Sequence, residues 1–242
     1  QRGHRRQQVK GLQHDADPSP AGAGQAVLVQ RPEIGAGDMN LSAAGPFQAR
    51  QDGHQRRFAR SAPHPEQDFE PASVFLLLYG ERAPCLLAVL KADYPGYPWR
   101  NQVALPGGHV NAQTDASALD AAFRELNEEL GIGSEQIHFI GSLGHFQTIL
   151  HKDIQVFVGL WNQAGPLRPD PQEISHVLKI PLARLAECHS GQNDKNPVYP
   201  LDQQIVIWGV TAKILYHFFE TAYPKIAEKW PAVIAGIRAG SL

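Results

Sequence analysis

Leu105-Pro106-Gly107-Gly108-His109-Val110, a polar loop, and then Arg124-Glu125-Leu126-Asn127-Glu128-Glu129-Leu130-Gly131-Ile132 form the stretch on which the reading of this chain turns. Its second part has the spacing of a helix running from about residue 115 to Leu130. Leu119, Ala122, Phe123, Leu126 and Leu130 recur on one stripe, and Gly131 marks the end. Glu125, Glu128 and Glu129 stand at i, i+3 and i+4, so three carboxylates are expected on one face opposite that stripe. Like charges so close repel, and a hard divalent cation such as Mg²⁺ or Mn²⁺ is the natural partner for clustered carboxylate oxygens. Arg124 lies beside the first glutamate and four residues before Glu128, where its guanidinium can orient a carboxylate through charge-assisted hydrogen bonds. The paired glycines let the backbone pass close to a ligand or offer a carbonyl to a metal. An arbitrary acidic helix face is more often plain solvated surface. Here the apolar anchor, the stop at Gly131 and the preceding strand and Pro-Gly-Gly turn favour a site. The chemistry that needs such a cluster is metal-assisted handling of a diphosphate.

Working outward, the flanking segments read as strands and helices in alternation. Val74-Phe75-Leu76-Leu77-Leu78-Tyr79 and Cys85-Leu86-Leu87-Ala88-Val89-Leu90 are two buried strands joined by a turn, and Gln102-Val103-Ala104-Leu105 is a third. Further strands are expected at residues 138–142 and 154–161, then a strand and short helix over 177–187. Helices over 210–222 and 226–238 close the chain, with Pro231 expected to kink or split the second. Mixed strands with inserted helices indicate an α/β or α+β sandwich rather than a regular βαβ repeat.

At 242 residues, 43% hydrophobic and 19% charged, the chain can close one domain with an appendage but not two catalytic domains. Lys and Arg number 22 against 24 Asp and Glu, a net charge of −2 that gives no global reason to expect nucleic acid or an anionic membrane as partner. Cys85 and Cys188 belong to no CxxC pair, so a zinc site is not supported and a reducing compartment is the default. No stretch has the pattern of a secretory signal or reaches the roughly 20 apolar residues of a membrane span, so a cytoplasmic protein is expected. All four tryptophans and all six tyrosines fall after residue 70. The first 70 residues are rich in Gln, Gly, Pro, Ala and Arg and read as a disordered tail. Residues 9–62 also look like the product of translating a GC-rich gene upstream of its start, which leaves open whether part of the tail is native.

Gly107-Gly108 followed by Arg124-Glu125-Leu126-x-Glu128-Glu129-x-Gly131-Ile132 resembles the Nudix box of the Nudix hydrolase superfamily. The resemblance implies a loop-helix-loop on an α/β/α sandwich with a mixed sheet. It also implies Mg²⁺- or Mn²⁺-dependent cleavage of nucleoside diphosphates linked to another group. Carried over by position, Glu125, Glu128 and Glu129 would bind metal, Gly108 would contribute through its backbone, and Arg124 would position the cluster. The domain so implied spans residues 71–222, leaving 223–242 as a helical extension. One position departs: where the family has a glutamate eight residues before the arginine, this chain has Ala116, and the loop is two residues longer. Asp115 or Thr114 is expected to fill the equivalent space as a helix cap rather than a metal ligand.

A narrower similarity is to the coenzyme A pyrophosphatase branch. It rests on Trp99-Arg100-Asn101-Gln102-Val103-Ala104-Leu105-Pro106-Gly107-Gly108, on Pro171-Gln172-Glu173-Ile174 before Ile180-Pro181-Leu182, and on Ile207-Trp208-Gly209-Val210-Thr211-Ala212. It implies coenzyme A or an acyl derivative as substrate, cleaved to 3',5'-adenosine bisphosphate and 4'-phosphopantetheine. ADP-ribose, NADH and diadenosine polyphosphates are the enzymatic alternatives, and a nucleotide-sensing module without turnover is the rival of another class. Glu173 is the candidate base. Lys91, Arg100, His109 and Phe146 are the candidate substrate contacts. Tyr94, Tyr97 and Trp99 are open between stacking on a base and ordinary packing. Trp208 and Thr211 are read as fixing the start of the late helix against the sheet. The expected partner is a small nucleotide conjugate, with a homodimer left open.

Overall fold

The computed structural model describes residues 69–238, so the tail reading for 1–70 and the question of its nativeness fall almost wholly outside the described residues. Among the described residues nine strands and four α-helices follow in order. They are β1 (Glu70–Tyr79), β2 (Cys85–Lys91), β3 (Val103–Ala104), β4 (Gly107–His109), α1 (Ala118–Leu130), β5 (Ile137–Gln147), β6 (Lys152–Trp161), β7 (Ile174–Pro181), α2 (Leu182–His189), β8 (Tyr199–Pro200), β9 (Val206–Ile207), α3 (Gly209–Thr221) and α4 (Tyr223–Arg238).

Seven strands form one mixed sheet, and β8 and β9 make a small separate ribbon. β1 lies at the centre, parallel to β6 along its whole length. On its other edge β1 pairs with β2 only through Leu77, Leu78 and Tyr79, and with β4 through Ala72, Ser73 and Val74. β2 likewise leaves β1 and takes β3 beside Val89 and Leu90, while β7 covers its far edge. The sheet therefore forks between β1 and β2, and β3-Leu105-Pro106-β4 fills the fork, pinned by the Phe75 amide donating to Pro106 O at 2.9 Å. This fork places the glycine pair under α1.

Both faces of the sheet are buried, as the continuous apolar runs of β1 and β2 require. Phe75, Leu77, Leu87 and Val89 pack against Leu119, Ala122, Leu126 and Leu130 of α1. The alternate residues Leu76, Leu78, Leu86 and Ala88 pack against α2, α3 and α4 on the opposite face. The result is an α/β/α sandwich with a mixed sheet. Among the described residues no helix is long and apolar enough to cross a membrane.

Three local expectations differ from what is observed. β5 runs to Gln147 rather than ending near 142, because Gly141 and Gly144 sit at two register shifts that hide the strand's period. α4 continues unbroken through Pro231: that residue faces solvent, where the missing amide costs least, while Trp230 and Val233 on the other side are buried. Trp208, expected against the sheet, stands at the N-cap of α3 with its ring exposed, while Thr211 is buried. α4 is not peripheral to packing. Ile226, Trp230 and Val233 belong to the core that contains Leu76 and Leu78, and Trp230 Nε1 donates to Gly80 O at 3.1 Å. Trp230→Ala should therefore lower unfolding free energy by about 3–5 kcal/mol in urea melts, whereas an unchanged midpoint would mean that α4 adds nothing to the core.

Candidate active site

α1 opens at Ser117, whose Oγ accepts from the Asp120 amide at 3.1 Å, and closes at Gly131, whose amide donates to Asn127 O at 2.9 Å. Its length places Arg124 to Glu129 directly over the fork. Successive residues turn by roughly 100°, so Glu125, Glu128 and Glu129 are spread over an arc rather than sharing one outlook. The side chain of Glu128 is 56% exposed, that of Glu125 15% and that of Glu129 2%. The single acidic face expected from spacing is thus a gradient from solvent to core, with Glu129 on the buried flank beside Leu126 and Leu130.

Each carboxylate has a cationic or amide partner. Arg124 Nη1 donates to Glu125 Oε1 at 2.9 Å and to Glu128 Oε2 at 2.8 Å. The rest of the guanidinium forks onto Asp115, through Nε to Oδ1 at 2.9 Å and Nη2 to Oδ2 at 3.1 Å, and Nη2 also donates to His109 O at 3.0 Å. Asp115 therefore does not cap α1, as expected from sequence; Ser117 does. It is instead the bidentate partner that fixes Arg124, and it also accepts from the Asn111 amide at 2.8 Å. The Arg124 hydrogen bonds hold the Asp115 carboxyl below the usual carboxylate range and raise Arg124 above the ordinary arginine value.

Glu129 is held from two sides. Lys91 Nζ, at the end of β2, donates to its Oε1, and the Gly107 amide donates to Oε2 at 3.0 Å. Burial pushes the Glu129 carboxyl up, with Lys91 and the Gly107 amide opposing. Burial also works against the Lys91 ammonium, yet the charge and hydrogen bond of Glu129, with Tyr97 and Glu173, carry it above the ordinary lysine value. Lys91 Nζ lies 3.4 Å from Glu173 Oε2 as well. Lys91, a candidate substrate contact from sequence, is thus placed as a buried cation between Glu129 and Glu173.

Glu173 reaches this place because its loop is tied to the end of α1. The amides of Arg168 and Asp170 donate to Leu130 O at 2.8 Å and Glu129 O at 2.9 Å, using carbonyls that a helix end leaves free. Glu173 O in turn accepts from the Ala92 amide at 2.8 Å. Its side chain remains half exposed.

The glycine pair has two separate reasons. Gly107 has φ +141°, and a Cβ there would fall 2.2 Å from Ser73 O, so only glycine fits the fork. At Gly108 a Cβ would lie 2.6 Å from the Glu125 carboxylate, so the missing side chain is the space that Glu125 occupies. Opposite Gly108 on β1 is Ser73, fully buried, its Oγ without a hydrogen-bond partner among the described residues. Burial pushes the Glu125 carboxyl up, against Arg124, and Glu128 and Glu173 add like charge. Among the described residues no three His, Cys, Asp or Glu side chains stand together as a ready-made metal cage. The donor chemistry nonetheless suits a hard cation: carboxylate oxygens in mutual electrostatic reach, a cradle over bare backbone and an orphaned hydroxyl beneath it.

The remaining expected contacts separate. Phe146 is 2% exposed and packs edge-on against His217 on the face of the sheet away from α1, so it has no surface to offer a base. Arg100 is at the surface and paired with Asp93 at 3.1 Å. His109 is exposed on β4, close to the Arg124 cluster through its backbone oxygen.

Two outcomes test this wiring. Lys91→Met should lower unfolding free energy by about 3–5 kcal/mol, since it strands a buried carboxylate, and adding Glu129→Met should recover part of that loss; strictly additive losses would show that the two are uncoupled. For Asp115 the sign follows from its lowered pKa: its stabilisation is complete above the ordinary value of about 3.9 and disappears as pH falls through the lowered one. Asp115→Asn should therefore lower Tm at pH 7, with the gap to the parent closing towards pH 3. A gap that is the same at both pH values would remove the ion pair as its cause.

The family model of the NUDIX domain matches residues 70–201. Among curated proteins the chain is similar to NudL of Escherichia coli (strain K12), described as an uncharacterized Nudix hydrolase, with 33% identity over 124 residues, 47% of this chain and 63% of that protein. The chain thus spans less than two thirds of that relative's length. Among solved structures it is similar to the NUDIX domain of Shewanella oneidensis NrtR complexed with ADP ribose, at 16% identity over 71% of this chain and 97% of that one, with a TM-score of 0.44. It is also similar to a C. elegans Ap4A hydrolase in a binary complex, at 19% identity over 48% of this chain and 83% of that one, with a TM-score of 0.40. Matched by the domain model over more than half of its residues, the chain belongs to the Nudix family.

Proposed function

We propose that this protein is a divalent-metal-dependent hydrolase of the diphosphate bond in a nucleotide conjugate, with Glu125, Glu128, Glu129 and the Gly108 backbone as the metal-binding set. The observation that carries the reading is the Glu125 carboxylate lying over Gly108, in the space a Cβ there would fill, with Arg124 and Lys91 fixing the glutamates on either side. These residues would hold Mg²⁺ or Mn²⁺, which when bound would neutralise diphosphate charge and favour ionisation of water. Arg124 keeps Glu125 and Glu128 oriented, and Lys91 with the Gly107 amide keeps Glu129 turned to the fork. Glu173, half exposed and 3.4 Å from Lys91 Nζ, takes the proton of the attacking water as general base. The water oxygen bonds to one phosphorus while the bridging P–O bond breaks, and the electron pair leaves with the second phosphate.

Coenzyme A or an acyl derivative, giving 3',5'-adenosine bisphosphate and 4'-phosphopantetheine, is supported by the order of the short motifs around the box. A specific observation favours the second reading of ADP-ribose, NADH or a diadenosine polyphosphate. Lys91 and Arg100, the two candidate substrate cations upstream of the box, are both engaged with carboxylates.

Incubation with each of these compounds, with and without Mg²⁺ or Mn²⁺, followed by product chromatography, is the test. Turnover should require the ion, Glu125→Gln should abolish it, and Glu173→Gln should lower kcat by about 10²–10⁴. Binding without turnover of any compound would favour a sensing module, and full activity in Glu125→Gln would overturn the mechanism.

A further inference from the structure

Residues 92–102 form a loop rooted at both ends in the candidate active site. It starts at Lys91, whose ammonium holds Glu129, and its first amide, that of Ala92, donates to Glu173 O at 2.8 Å. It ends at Gln102, whose carbonyl accepts from the Lys91 amide at 2.9 Å, and leads through β3 to Gly107, the amide partner of Glu129. Within it, Tyr97, Arg100 and Gln102 donate their amides to Tyr94 O, Tyr97 O and Trp99 O at 3.2, 3.3 and 3.1 Å, a run of tight turns with Asn101 at φ +57°. The backbone is therefore well tied, yet its three rings are not packed into the core.

The rings of Tyr94 and Tyr97 are stacked, centroids 4.9 Å apart and planes at 15°, and Trp99 meets Tyr97 edge-on at 5.9 Å. Tyr94 and Trp99 remain 45% and 44% exposed, two of the few large apolar side chains left at the surface among the described residues. The middle ring sits on the loop rooted beside Lys91 and Glu173; burial pushes the Tyr97 hydroxyl up, with the Lys91 charge opposing and Glu173 and Glu129 adding to the rise. The same loop has little charge to offer, because Arg100 is paired with Asp93 and Lys91 is buried in its own pairs. What this rim presents to a ligand is aromatic face beside a cluster of carboxylates.

We propose that Tyr94 and Trp99 are the base-binding rim of the site, stacking on the planar nucleobase of the substrate while its diphosphate lies over the Glu125 and Glu129 cluster. The ligand class is a nucleotide recognised by its heteroaromatic ring rather than by an additional phosphate. Base–aromatic stacking tolerates any base because each has a π-face, and the exposed rings satisfy that requirement without moving the backbone. The assignment rests on the diphosphate reading above for the placement of the phosphates, but its test does not need turnover.

The experiment is calorimetric titration of the full chain with adenosine 5'-monophosphate and, separately, with ribose 5-phosphate, which keeps the sugar phosphate and lacks the base. The parent protein should bind the first at least about tenfold more tightly than the second. Trp99→Ala and Tyr94→Ala should each weaken adenosine 5'-monophosphate about tenfold and leave ribose 5-phosphate unchanged, while Trp99→Phe, which keeps a ring, should restore the parent affinity. Equal affinity for the two ligands, no binding of the nucleotide, or parent-like binding in both alanine variants would overturn the proposal. Base-dependent binding without hydrolysis of any conjugate would retain the rim and sink the hydrolase reading. Hydrolysis with base-independent binding would do the reverse.

Discussion

Glu129 is a carboxylate held where water scarcely reaches it, and three separate pieces of chain meet to keep it there. A buried charge is tolerated only with a charged partner and satisfied lone pairs. Lys91 supplies the charge from the end of β2, and Gly107 supplies an amide from the start of β4. Both demands bear on the sheet. β2 must diverge from β1 for Lys91 to reach under α1, and β4 must enter the opening with a backbone that only Gly107 can follow. The fork is thus the geometry that one buried carboxylate requires.

Arg124 does for the outer half of the cluster what Lys91 does for the inner half. One guanidinium holds Glu125, Glu128, Asp115 and a backbone carbonyl, so it joins the loop after β4 to the middle of α1. Repulsion among the glutamates is divided between two cations on opposite flanks. Glu125 lies between them, its contact with Arg124 shared with Glu128 and its other side against the bare backbone of Gly108.

Much of this was legible in the sequence because it depends on local spacing. The period of α1, the stop at Gly131, the paired runs of β1 and β2 and the link from Arg124 to Glu128 all follow from residues a few positions apart. Position along the helix could not show that Glu129 turns inward, because exposure on the flank of a stripe depends on what the sheet puts beneath it. That Lys91 pairs with Glu129 was hidden for the same reason: the two are 38 positions apart. Asp115 was half visible, named as the residue filling the space near Ala116, but its role was set by a partner nine residues on across a turned loop. Phe146 was misread because its strand is interrupted by Gly141 and Gly144, and the register shifts there obscure which face a given ring occupies.

The parallel pairing of β1 with β6 has a consequence for how the protein is made. It is the central contact of the sheet, yet Glu70 and Lys152, which meet at its end, are 82 positions apart. On a ribosome adding about 5–20 residues per second, β1 can find β2 soon after both emerge but waits on the order of several seconds for β6. During that interval a strand containing Phe75, Leu76, Leu77 and Leu78 has one open apolar edge, the kind that other nascent chains and chaperones engage. The central pairing of the sheet therefore waits for residue 161 to leave the exit tunnel, after the acidic helix that defines the chemistry has already been synthesised, and β7 with the helices of the opposite face follows later still.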